Sequence, residues 1–418
     1  MRPPVPDCPP SLARAAWLTS PEIQAVLAAL KDSGHTARIV GGAVRNALMG
    51  QPVKDIDIAT TATPAQTMEA ARASGLKTIE TGLAHGTVTV IANHTPFEVT
   101  TLRRDTETDG RHARVEFTSD WAQDASRRDF TINALYCDGD GTIFDPLDGY
   151  ADITQRKVRF IGRPEDRIRE DYLRILRFFR FTAEYAGGAP DAPGYEASVA
   201  LRDGVSNLSG ERRRAELLRI LVTPRAPGIT ALMDESGILD RALGKEGNPL
   251  LLARIAALET AGETPPDAVL RLGAVGLTRP GDAQALRNSL KLSSQDYERL
   301  ARMALPDRAF DPAANEIDAK AIVYRHGALA FRDGVMLAWA RSDADELDGA
   351  WFERLSLTQR WQAPELPVRG TDVLALGVPA GPEVGRILSA FEDWWIAADF
   401  PMTPPLLAKR LQVMVSET

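Results

Sequence analysis

Residues 38–61 read Arg-Ile-Val-Gly-Gly-Ala-Val-Arg-Asn-Ala-Leu-Met-Gly-Gln-Pro-Val-Lys-Asp-Ile-Asp-Ile-Ala-Thr-Thr, and two features within them matter for the fold. The first is Gly41-Gly42, which lies between the apolar run Ile39-Val40 and a segment of helical character, 43–48. A glycine pair at a strand-to-helix turn lets backbone N–H groups approach an anion closely, and the helix dipole favours that anion further. We expect Arg45, one turn into the helix, to reach the same anion.

The second feature is Asp55-Ile56-Asp57. In a strand predicted over 54–59, side chains two positions apart share a face, so both carboxylates point one way and Lys54 and Ile56 point the other. Neighbouring carboxylates repel each other unless a cation lies between them, and oxygen ligands at this spacing suit Mg²⁺. Each feature alone is common, but together they favour a site for phosphoryl or nucleotidyl transfer.

The run Gly-Gly-x-Val-Arg at 41–45, followed by Asp-x-Asp at 55–57, resembles the signature of the tRNA nucleotidyltransferase (CCA-adding enzyme) and bacterial poly(A) polymerase superfamily. The catalytic head of that superfamily resembles that of DNA polymerase beta. The resemblance implies an α+β chain, with an N-terminal nucleotidyltransferase head followed by an all-α neck, body and tail. The family pattern usually has Asp after the Arg, whereas this chain has Asn46, which keeps a hydrogen-bonding side chain but no charge.

Residues 126–136, Ser-Arg-Arg-Asp-Phe-Thr-Ile-Asn-Ala-Leu-Tyr, match the second motif of the family almost letter for letter. The resemblance implies that Arg128 grips the triphosphate with its fork of donors. It also implies that Asp129 and Asn133 bind the sugar hydroxyls and support the turn.

The third motif lies in 163–181, which the sequence predicts to be one helix. Asp171, Arg174, Arg177 and Arg180 recur every three residues and would be neighbours on its surface. The run Glu-Asp-x-x-Arg at 170–174 resembles the base-selecting motif of the family, which implies that Asp171 and Arg174 hydrogen-bond the Watson–Crick edge of a base, with Arg177 and Arg180 in support. The alternative is a salt-bridge ladder within the helix.

A third carboxylate on a neighbouring strand commonly completes a two-metal site, and Glu98 in the strand 97–101 is our candidate; a solvated strand-face glutamate is the alternative. The polar, glycine-containing stretch 103–114 is predicted to be a mobile loop. It resembles the flexible loop of CCA-adding enzymes at 109–112, and we assign His112 no catalytic role.

The segment 208–221 resembles the Ser-x-Glu-Arg motif of the family. Ser209 is predicted to cap a helix, and Arg212 and Glu216 are predicted to form an i,i+4 ion pair. We interpret this helix as support for the neck, with 212–214 placed near RNA.

Composition narrows the class of protein. The chain has 418 residues, a formal net charge of −8 and two cysteines, which argues against a disulfide framework or a cysteine-based zinc site. No apolar run is long enough to span a membrane, and the N-terminus lacks the apolar core of a signal peptide, so we expect a cytoplasmic protein without a membrane partner. Between 153 and 225, however, the sequence contains 15 Arg and Lys residues but only 10 Asp and Glu residues. This local excess of positive charge suits phosphate contacts.

The predicted domains are a flexible arm (1–20), the head (21–150), a helical neck for base selection (151–225), a helical body (226–345) and a helical, tRNA-binding tail (346–418). Ser20 is predicted to cap a helix at 23–30, and Trp394-Trp395 is interpreted as core. Further predicted helices cover 65–74, 226–245, 249–261, 266–276, 280–290, 293–304, 316–326, 328–342 and 383–397, and further strands cover 77–80 and 87–92.

The resemblance implies template-independent nucleotidyl transfer to the 3′ end of tRNA from CTP and ATP, with no DNA partner. Two Mg²⁺ ions would be held by Asp55 and Asp57, with Glu98 as a possible third carboxylate. Gly41, Gly42, Arg45 and Arg128 would position the phosphates. The alternatives are a poly(A) polymerase or A-only adding enzyme and, from another class, a non-catalytic RNA-binding relative. The intact Asp pair speaks against the last of these.

Overall fold

The computed structural model describes residues 9–109, 112–304 and 308–417. The chain divides into two compact units, the first formed by residues up to Glu246 together with Ser289–Lys291, and the second by Gly247–Asn288 and the residues from Leu292 onward. All strands of the described residues lie in the first unit, and the second is helical. The α+β class predicted from the sequence is therefore confirmed.

The first unit begins as a mixed head. Its strands are β1 (Ala37–Val40), β2 (Asp57–Thr60), β3 (Lys77–Gly82), β4 (Thr87–Ala92), β5 (Thr95–Thr101), β6 (Arg103–Asp109), β7 (His112–Phe117), β8 (Tyr136–Cys137) and β9 (Ile143–Phe144). Its helices are α1 (Pro21–Asp32), α2 (Gly42–Leu48), α3 (Pro64–Ala73), α4 (Trp121–Ser126), α5 (Gly149–Gln155), α6 (Pro164–Glu170), α7 (Leu173–Tyr185), α8 (Ala192–Ala200), α9 (Gly210–Leu221), α10 (Ala226–Glu235) and α11 (Ile238–Leu243).

The remaining described elements are helices. They are α12 (Pro249–Ala261), α13 (Ala268–Gly276), α14 (Asp282–Leu290), α15 (Ser294–Met303), α16 (Glu316–His326), α17 (Ala328–Arg341), α18 (Gly349–Arg360), α19 (Gly370–Ala375), α20 (Pro382–Ala397) and α21 (Pro404–Ser416). Most of the helices predicted beyond 248 agree with these bounds within two residues. Trp395 is fully buried in a C-terminal apolar cluster, which confirms its interpretation as core.

The head is built on a seven-stranded sheet in the order β3-β4-β5-β2-β1-β8-β9. Strand β2 pairs antiparallel with β1, where Val40 lies opposite Asp57, and parallel with β5, where Asp57 lies opposite Glu98. Because β1 ends at Val40, the glycine turn that follows lies beside the start of β2. The sheet register thus brings the two features of residues 38–61 together.

Local signals explain where the head helices begin. The side chains of Ser20 and Thr63 accept hydrogen bonds from the backbone N–H groups of Ile23 and Gln66, and both helices start with proline. A cap of this kind stabilises a helix by about 1 kcal/mol. The apolar faces of α1 and α3 then pack near the sheet, where side chains such as Val88 are fully buried.

The described part of the predicted arm is not free. Residues 1–8 lie outside the described residues, but Leu18 is fully buried, and the backbone N–H of Leu12 donates to the carbonyl of Gly141 at 2.9 Å. Residues 9–20 therefore pack on the head.

Three other predictions of local structure are corrected. The single helix predicted over 163–181 is broken into α6 and α7 by an extended Asp171, with φ −157°. The helix predicted over 226–245 is interrupted at Gly237, with φ +70°. The stretch 103–114, predicted to be a loop, forms the antiparallel pair β6–β7, in which Arg103 lies opposite Phe117; Gly110 and Arg111 lie outside the described residues.

None of the described helices is long and apolar enough to cross a membrane.

Candidate active site

A cavity of about 970 Å³ in the first unit collects every predicted site residue except Glu98. The predicted residues that line it are Gly41, Gly42, Arg45, Asp55, Asp57, Arg128, Asp129, Asn133, Asp171, Arg174, Arg177 and Arg180. It is also lined by residues that the motif analysis did not assign, namely Asn46, Gln51, Pro52, Lys54, Phe181, Glu184, Tyr185 and Arg219. Motifs far apart in the sequence therefore meet at one site.

The carboxylate pair lies at the start of β2. Asp57 is the first residue of the strand and Asp55 precedes it, so the strand is shorter than predicted. Lys54 was predicted to point away from the two carboxylates, but it lines the same cavity; strand β2 begins only at Asp57, so the alternation of strand side chains does not apply to Lys54. Glu98 is exposed on the adjacent strand, in register with Asp57.

The electrostatics of Asp57 suit a cation. Burial raises the pKa of its carboxyl above the ordinary value, the negative charge of Glu98 raises it further and Asp55 adds to this effect, while Arg128 opposes it. A divalent ion beside the pair would relieve the repulsion. Among the described residues, no three His, Cys, Asp or Glu side chains converge into a metal site. The chain would thus supply two carboxylates, the number Mg²⁺ typically takes from protein in phosphate-binding sites.

The turn before α2 requires glycine at one position. Gly41 has φ +72°, which side chains rarely tolerate. A Cβ there would also lie 3.6 Å from Nη1 of Arg128, so the backbone of the turn closely approaches this guanidinium. The first N–H groups of any helix lack intrahelical partners, and those of α2 begin at the cavity wall.

Arg45 is buried at the cavity wall and is held by several groups. Its Nε and Nη2 donate to Oδ1 of Asn46 at 3.1 and 2.9 Å, Nη2 donates to the Tyr185 hydroxyl at 2.8 Å, and Nη1 donates to Asn133. The Tyr185 ring also lies 4.1 Å from the guanidinium carbon. Burial lowers the pKa of Arg45. Asn46 in place of the family's Asp therefore orients Arg45 without neutralising it.

Asp129 lies between the second and third motifs. Its carboxylate accepts hydrogen bonds from Asn133 at 2.9 Å, from Nε of Arg177 at 2.7 Å and from the backbone N–H of Phe130 at 2.9 Å. Burial alone would raise the pKa of Asp129, but Arg177 and these hydrogen bonds outweigh burial and lower it. Asp129 thereby fixes the positions of Asn133 and Arg177.

Two arginines of α7 share a buried carboxylate on α9. Nε of Arg180 lies 2.9 Å from Glu216, and Nη1 of Arg177 lies 3.9 Å from it. The predicted pair between Arg212 and Glu216 is therefore wrong. Arg212 turns instead to Asp171, at 2.7 Å, because the packing of α9 against α7 offers each charge a partner outside its own helix.

The two residues predicted to select the base, Asp171 and Arg174, are hydrogen-bonded to neighbouring groups. One oxygen of Asp171 accepts from Arg212 and the other accepts from the backbone N–H of Leu173 at 3.1 Å. Nη1 of Arg174 donates to Glu170 at 2.5 Å and to the carbonyl of Arg167 at 2.7 Å. The alternative considered for these residues, a ladder within one helix, is wrong, because Glu170 ends α6 and Arg174 lies in α7, so their pair connects two helices, and Asp171 pairs with Arg212 of α9.

Sequence reasoning did not identify Asp124, which is buried behind the cavity and accepts hydrogen bonds from Nε of Arg127 at 2.8 Å and Nη2 of Arg128 at 3.1 Å. Its spacing of four residues before Arg128 was the signal available. The roles of Tyr185 and Glu216 had no comparable signal, because both depend on contacts between distant segments.

Comparison with known proteins gives a consistent result. A family model described as the poly A polymerase head domain matches residues 37–159. The chain is similar to mitochondrial CCA tRNA nucleotidyltransferase 1 of Mus musculus, with 35% identity over 92% of this chain and 90% of that protein. It is 31% identical to the CCA-adding enzyme of Levilactobacillus brevis over 91% and 95% of the two chains. The crystal structure of the Bacillus stearothermophilus CCA-adding enzyme in complex with CTP matches with a TM-score of 0.75 and 28% identity, over 96% of this chain and 100% of that one.

Proposed function

The chain belongs to the family of CCA tRNA nucleotidyltransferases, the CCA-adding enzymes, and from this premise we propose that it adds CCA to the 3′ end of tRNA from CTP and ATP without a nucleic-acid template. One observation carries the proposal: the carboxylate pair, the glycine turn and the arginines of three separate motifs line a single cavity. That combination suits a nucleoside triphosphate more closely than any uncharged ligand.

Asp55 and Asp57 would hold two Mg²⁺ ions; Glu98 lies in register with Asp57, but among the described residues no third carboxylate converges with the pair. When bound, such ions lower the pKa of the attacking 3′-hydroxyl and neutralise the pyrophosphate leaving group. The negative charge that Asp55 and Glu98 place near Asp57 supports this assignment, because a divalent ion at the pair would relieve the repulsion between carboxylates.

Gly41, Gly42, Arg45 and Arg128 would bind the triphosphate. The glycine turn brings backbone N–H groups to the wall of the cavity, and Arg128 lies against Gly41. Arg45 is oriented by the hydrogen bonds that it donates to Asn46, its neighbour in the first motif, and to Asn133 of the second motif, so its guanidinium is placed before the nucleotide arrives. Fixed donors of this kind bind phosphate without the cost of ordering a flexible side chain.

Asp171 and Arg174 would select the base, and Arg177 and Arg180 would support them. The buried Glu216 behind Arg180 favours the supporting role, since it fixes α7 against α9. Asp129 would bind sugar hydroxyls together with Asn133, to which it is already hydrogen-bonded. No nucleic-acid strand is needed for selection, because a carboxylate and a guanidinium together present acceptors and donors to a base edge.

We further propose that 21–150 carries the chemistry, that 151–225 selects the base, and that 226–345 and 346–418 hold the acceptor arm of tRNA, by shape and backbone contacts. The B. stearothermophilus enzyme was solved with CTP, which supports the nucleotide assignment. A cytoplasmic location stays a prediction, because the Mus musculus relative is mitochondrial by name.

The second candidate is a poly(A) polymerase or an A-only adding enzyme. The match of residues 37–159 to the poly A polymerase head domain is compatible with this second candidate as well as with the first. The two candidates differ in when addition stops and in which nucleotide is accepted, not in the chemistry of the transfer.

Primer extension on a tRNA transcript that lacks its 3′ CCA separates these candidates. The enzyme is given CTP alone, ATP alone or both, with Mg²⁺, and product lengths are measured on a sequencing gel. We expect two additions with CTP alone and a stop at three with both nucleotides. A long ladder with ATP alone would establish a poly(A) polymerase, and no extension under any condition would overturn the transferase assignment.

A further inference from the structure

Asp124, in the short helix α4, is surrounded by donors although it does not line the cavity. Its Oδ1 accepts from Nε of Arg127 at 2.8 Å and from the backbone N–H of Arg103 at 3.3 Å. Its Oδ2 accepts from Nη2 of Arg128 at 3.1 Å and from the hydroxyl of Tyr136 at 2.8 Å. The residue is only 1% exposed. Four donors from three parts of the head therefore converge on one buried carboxylate.

The carboxylate of Asp124 cannot be replaced by a neutral side chain without loss of hydrogen bonds. An ionised carboxylate only accepts hydrogen bonds and offers about four acceptor positions, so the four donors use its capacity fully. Two of the donors are guanidinium groups, and charge-assisted hydrogen bonds of this kind are shorter and stronger than neutral ones. Each donor group is consequently held in one orientation as long as the carboxylate is in place.

Among these donors, Arg128 is the side chain that reaches the cavity. Its side chain is 19% exposed, and its guanidinium carbon lies 5.5 Å from the centre of the Tyr136 ring. Nη2 points to Asp124, whereas Nη1 lies toward Gly41. The guanidinium is thus held between a buried anchor on one side and the glycine turn on the other.

We propose that Asp124 is a positioning residue for triphosphate binding, which acts by holding the guanidinium of Arg128 at the wall of the cavity and does not itself contact the nucleotide. The inference rests on the proposed role of Arg128 as a phosphate ligand. Asp124, although outside the cavity, would then contribute to the affinity for CTP and ATP equally, because both nucleotides carry the triphosphate.

The substitution Asp124→Asn tests this role. The amide keeps one acceptor oxygen, but its nitrogen is a donor and would face donors, so Arg128 loses its charged anchor while the size of the side chain is conserved. We expect the KM for CTP and for ATP to rise about tenfold, and the affinity for inorganic tripolyphosphate, measured by calorimetry, to fall by a similar factor. The kcat at saturating nucleotide should change less than about threefold, because the proposal concerns binding.

Asp152 offers a matched control. It is also 1% exposed and accepts from a hydroxyl and an arginine, namely Thr131 at 2.6 Å and Nε of Arg159 at 2.8 Å, but neither partner lines the cavity. Asp152→Asn should lower the thermal midpoint as Asp124→Asn does, with a KM within about twofold of the unmodified protein. Equal rises in KM for both variants would reduce Asp124 to a structural role and overturn the inference.

A double-mutant cycle separates the inference from the proposed function. If Asp124 acts through Arg128, then Asp124→Asn should raise KM about tenfold in the unmodified protein but less than about twofold in an Arg128→Ala background. A tenfold rise in both backgrounds would overturn the inference and leave the role of Arg128 intact. An unchanged KM in Arg128→Ala alone would remove the phosphate role of Arg128 itself, and the inference with it, while the primer-extension result would stand.

Tyr136→Phe keeps the test decisive if Asp124→Asn does not fold. It removes one donor from Asp124 and leaves the charges unchanged. We expect a rise in KM of about two- to threefold, with an unchanged kcat. An unchanged KM in a folded Tyr136→Phe protein would count against the inference.

Discussion

Each compact unit contains an aspartate that is only 1% exposed and pairs with an arginine, but the charges are present in opposite ratios. In the first unit Asp124 holds two arginines, one of which, Arg128, is 19% exposed at the cavity. In the second unit Arg299, 18% exposed, donates to two carboxylates, those of Asp333 at 2.7 and 3.0 Å and Asp267 at 2.7 Å. The cluster around Asp124 thus has one more cation than anions, whereas the cluster around Arg299 has one more anion than cations.

The ratio indicates what each cluster does. Glu216 also lies beside two arginines, Arg177 and Arg180, but Arg177 is paired with Asp129 as well, so that cluster has no surplus cation. Arginines that outnumber the neighbouring carboxylates at a cavity wall can bind phosphate. The Arg299 cluster instead connects α13, α15 and α17, and its single arginine is neutralised by two carboxylates. Burial raises the pKa of Asp333 despite Arg299, whereas the arginines lower that of Asp124 against the effect of burial.

The largest effect is expected from Asp57→Ala, which removes cavity chemistry without touching either arginine cluster. Loss of one of the two carboxylates that we propose to bind metal should reduce nucleotide incorporation at least about a thousandfold, equivalent to about 4 kcal/mol in the barrier. Primer extension measures the rate, and circular dichroism should show an unchanged fold. Full activity in this variant would refute the metal assignment.

Asp333→Asn is expected to have the next largest effect, and on stability instead of activity. The change removes the charged partner with which Arg299 makes two hydrogen bonds, and should lower the free energy of unfolding by about 2–3 kcal/mol. Urea denaturation followed by fluorescence measures the loss. Activity per folded molecule should be unchanged; a selective loss of activity at full stability would show that the second cluster also serves the reaction.

Asp171→Asn should alter selectivity within the first unit. It exchanges one acceptor for a donor at the proposed base-reading position, and we expect the ratio of CTP to ATP incorporation to shift roughly tenfold, about 1.4 kcal/mol. Single-nucleotide incorporation with each triphosphate measures the ratio. Asp166→Asn, an exposed residue of α6, is the control and should leave the ratio unchanged. The same ratio in both variants would remove Asp171 from base selection.

The smallest effect is expected from Asp393→Asn, which breaks an exposed pair with Arg325 at 2.8 Å in the second unit. Solvent screens such pairs, so the free energy of unfolding should change by less than about 0.5 kcal/mol. The same urea experiment provides the value against which Asp333→Asn is judged. A loss as large as that of the buried aspartate would show that burial does not explain the difference between the pairs.

Local signals in the sequence predicted where most helices start, and the sequence motifs predicted most of the residues that line the cavity. The N-caps Ser20 and Ser209 were predicted and are present, since a cap depends only on residues within one turn. The clustering of three motifs was predicted from the family resemblance. Their orientation could not be, because it depends on which strands pair.

Two of the errors share a cause in contacts between distant segments. The break between α6 and α7 places the Tyr172 ring against Gly204, where a Cβ on residue 204 would lie 2.0 Å from the ring. No local sequence pattern predicts this contact. The partner exchange that gives Arg212 to Asp171 and Arg180 to Glu216 likewise requires α9 beside α7. Spacing within one helix therefore predicted plausible ion pairs that tertiary packing replaced.

If Asp171 and Arg174 select the base as proposed, their pairing with Arg212 and Glu170 has a consequence for nucleotide affinity. A base that uses these groups must first displace partners tethered to the same chain, so the intrinsic affinity is reduced by the population of molecules in which the groups are released. This reduction applies to both nucleotides that use the groups in the same way. Changes at Arg212 or Glu170 would then raise or lower the affinity for CTP and ATP together, and choice between them would respond only to the groups that meet the base.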